Sequence, residues 1–431
     1  MAIGVMTPKQ FRFDSLESFT ELKSLLTTAG AELVEEEFVE LRQFHPATLI
    51  GQGRVDQIRE KVFCHRPHVV VVDAELTPSQ NKNLEDAWGT RVLDRTGLIL
   101  DIFAQRATSK EGKLQVELAQ YHYLLPRLIG QWTHLSKQRG GSIGLRGPGE
   151  TQLEVDRRRV RDRITHIKRN LRKVTVTREI HRQKRQTVPI PTVSLIGYTN
   201  AGKSTLFNRL VDGCVLAENK LFSTLDSKTQ KLKLPTGQKI LMSDTVGFIK
   251  NLPHQLIESF KSTFEEVAGS HLLLHLIDVS HPNYSEQVAT VETVLKELGL
   301  DNIPVIKVLN KSDLLPVSQE DILNSVTRDN HVHISAMTGQ GVDDLMQVIQ
   351  EKLSEHYFST VRMMIPHADA KALNHLYTHG RVLSFKTFPD GYEVEVSLPE
   401  KWENIYRGYI VELRRGHPLE SENYATEMAM V

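Results

Sequence analysis

The first hundred residues alternate between short apolar runs and stretches whose apolar positions recur every three or four residues. Runs of this kind predict strands, and the helical spacing predicts helices. The predicted strands are Leu33–Leu41, Thr48–Ile50 and Val69–Val72, and the predicted helices cover residues 15–29 and 54–62, with a further helix starting at Thr77-Pro78. Because helices alternate with strands, we expect a small α/β subdomain with a parallel sheet over residues 1–105.

Over residues 106–186 the apolar positions instead follow a period of 3.5 residues, in two seams separated by a break. The first seam comprises Leu114, Leu118, Tyr121, Leu125, Leu128, Trp132 and Leu135, and the second Leu153, Val160, Ile164, Ile167, Leu171 and Val174. This period is typical of paired helices, so we predict a long antiparallel helical hairpin. Pro126 should kink its first helix, and Thr151 with Glu154 forms a capping-box pattern at the start of the second.

The break between the two seams, residues 139–150, is rich in glycine and carries arginine. Two to five residues are enough to join antiparallel helices, so a flexible turn does not need this length. Glycine also allows the backbone to approach another surface closely. We therefore favour a contact tip over a simple turn. The candidate contact residues are Arg139, Gly144, Leu145, Arg146, Gly147, Pro148, Gly149 and Glu150.

Strands alternate with helices again over residues 187–358, and residues 359–431 carry a hairpin pattern around Pro389-Asp390-Gly391. The predicted fold class is therefore α/β. A domain with a mostly parallel sheet and flanking helices is preceded by the α/β subdomain and the hairpin. A small α+β domain follows it.

Composition narrows the function classes. The chain has 431 residues with 53 basic and 53 acidic side chains, yet residues 101–185 carry 20 basic and 8 acidic ones, a local net charge of +12. A localised basic segment is typical of a protein that binds a polyanion. No apolar run reaches the roughly 18 residues of a membrane span, and no secretory signal or lipidation motif is present. The 2 cysteines exclude a disulfide framework or a cysteine zinc site, so we expect a cytoplasmic protein.

The strongest chemical motif is Gly197-Tyr198-Thr199-Asn200-Ala201-Gly202-Lys203-Ser204, which lies between a predicted strand, Val193–Ile196, and a predicted helix, Thr205–Leu210. This is the pattern of a phosphate-binding loop in its required context. The glycines let backbone N–H groups surround a phosphate, and the helix N-terminus adds positive potential. Lys203 should neutralise the outer phosphates, and the Ser204 hydroxyl should bind Mg²⁺.

Further motifs follow in the order expected of a GTPase. Asp244 should hold Mg²⁺ through water, Gly247 should contact the γ-phosphate, and Thr224 is the candidate Mg²⁺ ligand of the first switch, although an ordinary loop threonine is the alternative. The Asp313 carboxylate can accept the two donors of guanine, which adenine lacks. The full set of candidate GTP-binding residues is Gly197 to Thr205, Phe222, Ser223, Thr224, Leu225, Asp226, Asp244, Thr245, Val246, Gly247, Asn310, Lys311, Ser312, Asp313, Ser335, Ala336 and Met337.

These motifs resemble those of the HflX family of bacterial GTPases. The resemblance covers about residues 30–350 and rests on the loop motif, Leu221–Asp226, Asp244–Phe248, the hairpin motif Gly144–Glu154 and the run Asp94–Arg106. It implies a cytoplasmic GTPase that uses GTP and Mg²⁺ and binds the large ribosomal subunit through ribosomal RNA. It also implies that the hairpin tip reaches the peptidyl-transferase centre and that the GTP-bound protein separates stalled or idle ribosomes under heat stress. We expect a monomer away from the ribosome.

Three hypotheses concern finer chemistry. Phe248 occupies the position where many GTPases carry a water-orienting glutamine, which predicts slow intrinsic hydrolysis. Asn200 matches the asparagine of potassium-activated GTPases, so it either binds K⁺ or only stabilises the loop. The Gly51-Gln52-Gly53 turn is either a tight strand–helix connection or part of a second nucleotide site, since the family's N-terminal part has been linked to ATP; Asp73 and Asp94 are compatible with such a site.

Two other functions compete with ribosome splitting. In the first, the basic hairpin remodels RNA or binds tRNA, with GTP acting only as a clamp. In the second, the chain is a signalling switch with a protein partner. The hairpin lacks the cluster of aromatic residues that a base-stacking surface would need, which counts against the first.

Overall fold

The structure is a computed structural model. This structure describes residues 1–6, 12–41, 43–131, 152–186, 190–211, 221–222, 224–250, 267–315, 331–399, 402 and 405–415. These residues confirm the predicted fold class: a parallel N-terminal sheet, a pair of long helices, a mostly parallel central sheet and an antiparallel C-terminal sheet.

The N-terminal sheet is fully parallel, with strand order β2-β1-β3-β4. Its strands are β1 (Ala2–Met6), β2 (Glu36–Glu40), β3 (Val69–Val72) and β4 (Arg91–Asp94), and its helices are α1 (Arg12–Thr28), α2 (Gln52–His65), α3 (Pro78–Trp88) and α4 (Arg95–Arg106). Strand β1 lies between β2 and β3 in this sheet, although the sequence pattern did not predict it. The strand predicted at Thr48–Ile50 is wrong. Leu49 has a φ of 64° and forms only an isolated bridge with His45, because Thr48 turns the backbone by donating to Ile50 O.

Caps fix the helix starts of this subdomain. Helix α3 begins after Thr77 with proline at the first helical position, as predicted, and Thr77 and Gln80 also form a capping box there. Asp94 ends β4 and caps α4 by accepting a hydrogen bond from Gly97 N at 2.8 Å. The strand and the helix therefore meet without a loop between them.

Two helices follow the N-terminal sheet, α5 (Lys110–Gln131) and α6 (Gln152–Gln186). Their seam buries Leu118, Ile164 and Ile167, with five partly buried neighbours at positions that the sequence pattern predicts, Leu114, Tyr121, Leu125, Val160 and Leu171. Helix α5 continues through Pro126. At 1.5 Å per residue the helices are about 33 and 52 Å long. Residues 132–151, which include the predicted tip and Thr151, lie outside the described residues.

The central sheet has strand order β10-β9-β8-β5-β7-β6 and is parallel except at the β6–β7 edge. Its strands are β5 (Thr192–Gly197), β6 (Lys228–Lys233), β7 (Lys239–Asp244), β8 (Leu272–Asp278), β9 (Val305–Asn310) and β10 (His331–His333), and its helices are α7 (Lys203–Val211), α8 (Tyr284–Glu297) and α9 (Val342–His356).

The C-terminal sheet is antiparallel, with strand order β12-β13-β11-β14. It contains β11 (Phe358–Ile365), β12 (Arg381–Phe388), β13 (Gly391–Pro399) and β14 (Ile410–Arg415), with helix α10 (Ala370–His379). The predicted hairpin is β12–β13, with its turn at Pro389 and Asp390.

One apolar core joins the N-terminal subdomain to the central sheet. It contains Leu22 and Phe103 from the N-terminal side and Phe222, Leu225 and Phe248 from the central domain. The rings of Phe103 and Phe222 meet edge to face, with centroids 4.6 Å apart and an interplanar angle of 87°. The two units therefore share a buried interface. In the described part of the chain, no helix is both long and apolar enough to cross a membrane.

Candidate functional site: a phosphate-binding loop and its switches

The loop after β5 has the backbone that a phosphate-binding loop requires. A Cβ on Gly197 would lie 2.3 Å from Leu276 O, and a Cβ on Gly202 would lie 2.2 Å from Asn310 Nδ2. Their φ angles, 147° and 94°, are in the region that favours glycine. Asn200 has a φ of 63°, which asparagine tolerates better than most residues, and it is exposed. Only glycine fits at positions 197 and 202 without a shift of the neighbouring strand or side chain.

Lys203 lies at the start of α7 and is buried against the loop. Its Nζ donates to Gly197 O at 3.0 Å and to Tyr198 O at 2.7 Å. Burial lowers the pKa of Lys203 to about 8, although the charge of Asp244 opposes this shift. A phosphate bound in the loop would add negative charge near this ammonium and so stabilise its charged form.

Three oxygen-bearing side chains meet beside Lys203. Ser204 Oγ, Thr224 Oγ1 and Asp244 Oδ2 lie 2.8 Å from one another in every pair. All three residues are buried, and Asp244 Oδ1 has no hydrogen-bond partner among the described residues. Burial raises the pKa of the Asp244 carboxyl, although Lys203 opposes the shift.

Hard oxygen donors around an orphaned buried carboxylate oxygen suit Mg²⁺. Asp244 Oδ1 would gain a cation or one of its waters as a partner, which would offset the cost of burying it unpaired. The residues present therefore fit the predicted magnesium site, with Ser204 and Thr224 as ligands and Asp244 acting through water. The structure thus brings together three residues that are 20 or 40 positions apart in the chain.

The second switch begins at Asp244 and is held close to the loop. A Cβ on Gly247 would lie 2.9 Å from Lys203 Nζ, so only glycine fits there without moving the lysine. Thr245 Oγ1 donates to Leu195 O at 2.6 Å, and Val246 is buried in the shared core. Phe248 is also buried there, with its backbone bonded to Thr199 N and Gly197 O. Its phenyl ring packs in the apolar core and cannot form a hydrogen bond that would orient a water.

The predicted guanine side is assembled by Asn310. Its Nδ2 donates to Ala201 O at 2.7 Å, and its Oδ1 accepts from Ala336 N at 2.9 Å, which ties the phosphate loop to the loop after β10. Lys311 has a φ of 65° and pairs with Asp278. Asp313 is exposed, as a residue that reads a base must be before the base binds.

Other predicted contacts on this side are less open. Ser335 N donates to Gln340 O and Ala336 N to Asn310 Oδ1, so a contact from either group to the guanine O6 would need a shared or exchanged hydrogen bond. Met337 is exposed and its carbonyl accepts from Arg209. Ser312 is buried at the start of a short 3-10 turn, and Thr205 lies on α7.

Three predicted GTP-binding side chains face the N-terminal subdomain instead of the nucleotide site. Phe222 and Leu225 are buried in the shared core, and Asp226 accepts hydrogen bonds from Thr108 and Ser109. These side chains therefore lie at a domain interface, which sequence spacing does not show. Nucleotide contacts by the three residues stay a prediction. Ser223, between them, lies outside the described residues.

A buried polar chain that the sequence analysis missed links the phosphate loop to the N-terminal subdomain. Tyr198 Oη donates to Glu21 Oε1 at 2.6 Å and accepts from Lys250 N at 2.7 Å. Glu21 also pairs with Arg95, which pairs with Asp73 at 2.8 Å. The only signal in the sequence is a tyrosine inside the loop motif, which does not identify a partner 177 residues away.

The carboxylates at the N-terminal sheet are already bonded. Asp94 accepts from Gly97 N, Tyr123 Oη, Leu76 N and Arg127. Gly51 has an ordinary φ of −65°, and neither it nor Gly53 would bring a Cβ within 4 Å of another group. These facts favour the tight-connection interpretation of that turn, and a second nucleotide site stays a prediction. The predicted contact residues of the hairpin tip lie outside the described residues.

Family models match most of the chain. The GTP-binding GTPase N-terminal model matches residues 16–104, the GTP-binding GTPase middle-region model residues 106–185, the 50S ribosome-binding GTPase model residues 192–311 and the HflX C-terminal domain model residues 322–403. The middle-region match covers the helical pair, and the ribosome-binding GTPase match covers the phosphate loop and the second switch.

Curated relatives agree with these matches. GTPase HflX of Caldanaerobacter subterraneus is 44% identical over 92% of this chain and 90% of its own length. GTPase HflX of Escherichia coli K12 is 46% identical over 79% of this chain and 80% of its own length. A solved GTP-binding protein from Sulfolobus solfataricus in complex with GDP is 22% identical, with a TM-score of 0.43 over 81% of this chain and 98% of that chain. The chain, with its phosphate loop, its switches and its family-specific flanking domains, belongs to the HflX family of GTPases.

Proposed function

We propose that this GTPase binds the large ribosomal subunit through its helical hairpin and dissociates stalled or idle ribosomes under stress. In this proposal the glycine-rich tip reaches the peptidyl-transferase region, and GTP hydrolysis resets the cycle. The protein acts in the cytoplasm, and it is a monomer away from the ribosome. The family match to a 50S ribosome-binding GTPase supports a ribosomal partner.

The observation that carries the proposal is the basic outer face of α6. The helix uses Ile164 and Ile167 to pack on α5, and its remaining faces expose a series of cations to solvent. These exposed basic residues are Arg158, Arg159, Arg161, Arg163, Lys168, Arg169, Arg172 and Lys173. Arg163 pairs with Glu117 of α5 at 2.7 Å and Arg159 with Asp156. A rod about 52 Å long with such a surface suits the phosphate backbone of folded RNA.

The nucleotide site supplies the chemistry. Lys203 and the loop N–H groups bind the phosphates, and Asp313 selects guanine. Ser204 and Thr224, with Asp244 acting through water, would hold Mg²⁺, which would supply positive charge beside the bound phosphates. Because the Phe248 ring is packed in the core, position 248 offers no side chain that could orient the attacking water by a hydrogen bond. Intrinsic hydrolysis is therefore slow, and the bound ribosome completes the site or orders its switches.

The test is steady-state GTP hydrolysis and light scattering with purified ribosomes. Reversing four cations of α6 (Arg161→Glu, Lys168→Glu, Arg169→Glu and Arg172→Glu) should abolish ribosome stimulation and subunit separation, but leave the rate without ribosomes unchanged. Deletion of residues 140–149 should preserve binding but abolish separation. The matched control reverses two exposed lysines on the edge strand β6, Lys231→Glu and Lys233→Glu, and should behave as wild type.

The competing functions give different results. If naked RNA binds as tightly as ribosomes, RNA remodelling is favoured over splitting. If the α6 variant keeps full ribosome stimulation, the proposal fails and the signalling alternative gains. The salt dependence is a second readout. Losing four phosphate contacts should lower the slope of log affinity against log salt by about 3 to 4.

We also propose that Asn200 binds a monovalent cation, K⁺, beside the phosphate loop. The residue is exposed on the wall of a cavity of about 160 Å³ that Glu21 and Lys250 also line. Replacing NaCl by KCl should raise the hydrolysis rate of the wild type and not of Asn200→Ser. Equal rates in the two salts would remove this proposal and leave Asn200 as a loop-stabilising residue.

A further inference from the structure

The first-switch segment, residues 221–226 without Ser223, connects three parts of the molecule. Phe222 lies on Phe103 of α4, and Thr224 lies in the magnesium site. Asp226, two residues further on, reaches the start of α5, the first helix of the hairpin. A short stretch of chain therefore touches both the nucleotide site and the base of the hairpin.

The contact at Asp226 has the chemistry of a helix cap. Its Oδ2 accepts from Thr108 N at 3.0 Å, Thr108 Oγ1 at 2.7 Å and Ser109 N at 2.7 Å, and its Oδ1 accepts from Ser109 Oγ. Ser109 Oγ in turn accepts from Gly112 N at 2.8 Å. The carboxylate thus satisfies orphan donors at the start of α5 and lies at the positive end of its dipole. Burial opposes ionisation, but the hydrogen bonds from Ser109 and Thr108 outweigh it and lower the pKa of Asp226.

Gly112 makes this approach possible. A Cβ at that position would lie 2.3 Å from Asp226 Oδ1 and 3.1 Å from Ser109 Oγ. The glycine lies inside α5, where glycine normally costs about 1 kcal/mol relative to alanine. The close approach of Asp226 gives a physical reason for a residue that is otherwise unfavourable in a helix.

We propose that Asp226 is a positioning residue that couples Thr224 in the magnesium site to the first turn of hairpin helix α5. When Asp226 caps α5, Thr224 is held beside Ser204 and Asp244, ready for Mg²⁺ and the γ-phosphate. When the cap opens, Thr224 leaves the site. Nucleotide state and the order of the helix start therefore influence each other, since coupling between two binding equilibria is reciprocal. This inference rests on the proposed role of Thr224.

The experiment compares the affinities of the full chain for a non-hydrolysable GTP analogue and for GDP, both with Mg²⁺. Asp226→Ala should lower the preference for the GTP analogue about tenfold, because Thr224 contacts only the triphosphate state, and should leave GDP affinity within twofold of wild type. Gly112→Ala should act in the same direction, because its Cβ displaces the carboxylate. If the effect of Gly112→Ala were confined to α5, the alanine would stabilise the helix and leave the preference for the GTP analogue unchanged.

The matched control is Gly53→Ala in α2, where a Cβ meets nothing within 4 Å, and its preference should equal that of the wild type. In a Thr224→Ala background, Asp226→Ala should add nothing further. If Asp226→Ala and Gly112→Ala lower only the melting temperature while Thr224→Ala still lowers the GTP preference, the coupling is overturned and the magnesium site stands. If Thr224→Ala also leaves the preference unchanged, the role of Thr224 falls as well.

Hydrogen exchange gives a test from the other end. The GTP analogue should slow exchange of the Gly112 and Lys113 amides relative to GDP in the wild type, and not in Thr224→Ala. Equal exchange with the two nucleotides in the wild type would contradict the coupling.

Discussion

Strands of both the N-terminal sheet and the central sheet end at aspartates, but the partners of these carboxylates differ between the two sheets. In the N-terminal sheet, Asp73 follows β3 and Asp94 ends β4. Asp73 is paired with the buried Arg95, and Asp94 with the partly buried Arg127. In the central sheet, Asp244 ends β7 with one oxygen unpaired and buried beside Lys203.

The glycines differ in the same way. Those of the phosphate loop, Gly197 and Gly202, are in the left-handed region or near it and have no room for a side chain. Those of the Gly51-Gln52-Gly53 turn have open space around them. In this molecule the carboxylate and the glycines of the predicted nucleotide site are therefore the ones that the surrounding structure leaves unsatisfied or strained.

The largest expected effect concerns Asp94, whose carboxylate oxygens already accept hydrogen bonds from the protein. Asp94→Ala removes the buried carboxylate that accepts from Arg127 and from three other buried or partly buried donors, so the free energy of unfolding should fall by about 3–5 kcal/mol. Chemical denaturation measures this. The folded variant should still bind GTP, and a selective loss of binding at unchanged stability would contradict the structural role.

The second effect concerns the strained glycine. Gly202→Ala forces a Cβ against Asn310 at a φ of 94°, so GTP affinity should fall by about 2–3 kcal/mol, roughly a hundredfold. Equilibrium titration with a fluorescent GTP analogue measures the loss. Gly53→Ala, its counterpart at the start of α2 in the N-terminal subdomain, should bind as the wild type does, and an equal loss in both variants would remove the distinction between the two turns.

A smaller effect is expected at the link between the sheets. Tyr198→Phe leaves Glu21 Oε1 and Lys250 N without a partner, at a cost of about 1–2 kcal/mol in unfolding free energy. If the buried chain joins the two units, they should unfold together in the wild type and separate into two transitions in the variant. A single unchanged transition would show that the apolar core alone couples them.

At neutral pH the smallest effect is expected at His275 in the central sheet, because its contribution to stability changes only on acidification. Burial lowers the pKa of His275 in β8 to about 4, below the value near 6.5 of an unfolded histidine. Between these values the unfolded chain binds a proton that the folded chain does not, so stability falls as pH decreases from 6.5 towards 4. The slope from this residue is at most about 1.4 kcal/mol per pH unit. Relative to His275→Gln, the wild type should lose stability over this range, and a constant difference would contradict the assignment.

Local features of this chain could be predicted from sequence because their signals are local. These features are the phosphate loop with its flanking strand and helix, the helix start at Thr77-Pro78 and the hairpin seam, and each depends on residues within one or two turns of one another. The short strand β1 was not predicted, because five apolar or small residues at the start of the chain are compatible with many other structures. The strand predicted at Thr48–Ile50 is wrong because the Thr48 side chain forms a hydrogen bond to Ile50 O, which stabilises a turn there.

The partners of Asp226 and Tyr198 could not be predicted in this way. Asp226 meets Ser109 across 117 residues, and Tyr198 meets Glu21 across 177. No spacing rule connects positions so far apart. Both residues belong to recognisable nucleotide motifs, which suggested nucleotide contacts and concealed their role at the domain interface.

The most direct measurement is the Mg²⁺ dependence of GTP-analogue binding in Asp244→Asn and Asp94→Asn, each with its melting temperature. We expect Asp244→Asn to melt at or above the wild-type temperature, since the substitution removes a buried carboxylate charge, and to lose the Mg²⁺-dependent gain in affinity. Asp94→Asn should melt lower and keep that gain. If instead Asp94→Asn loses the gain while Asp244→Asn keeps it, the magnesium and nucleotide chemistry does not belong to the central sheet.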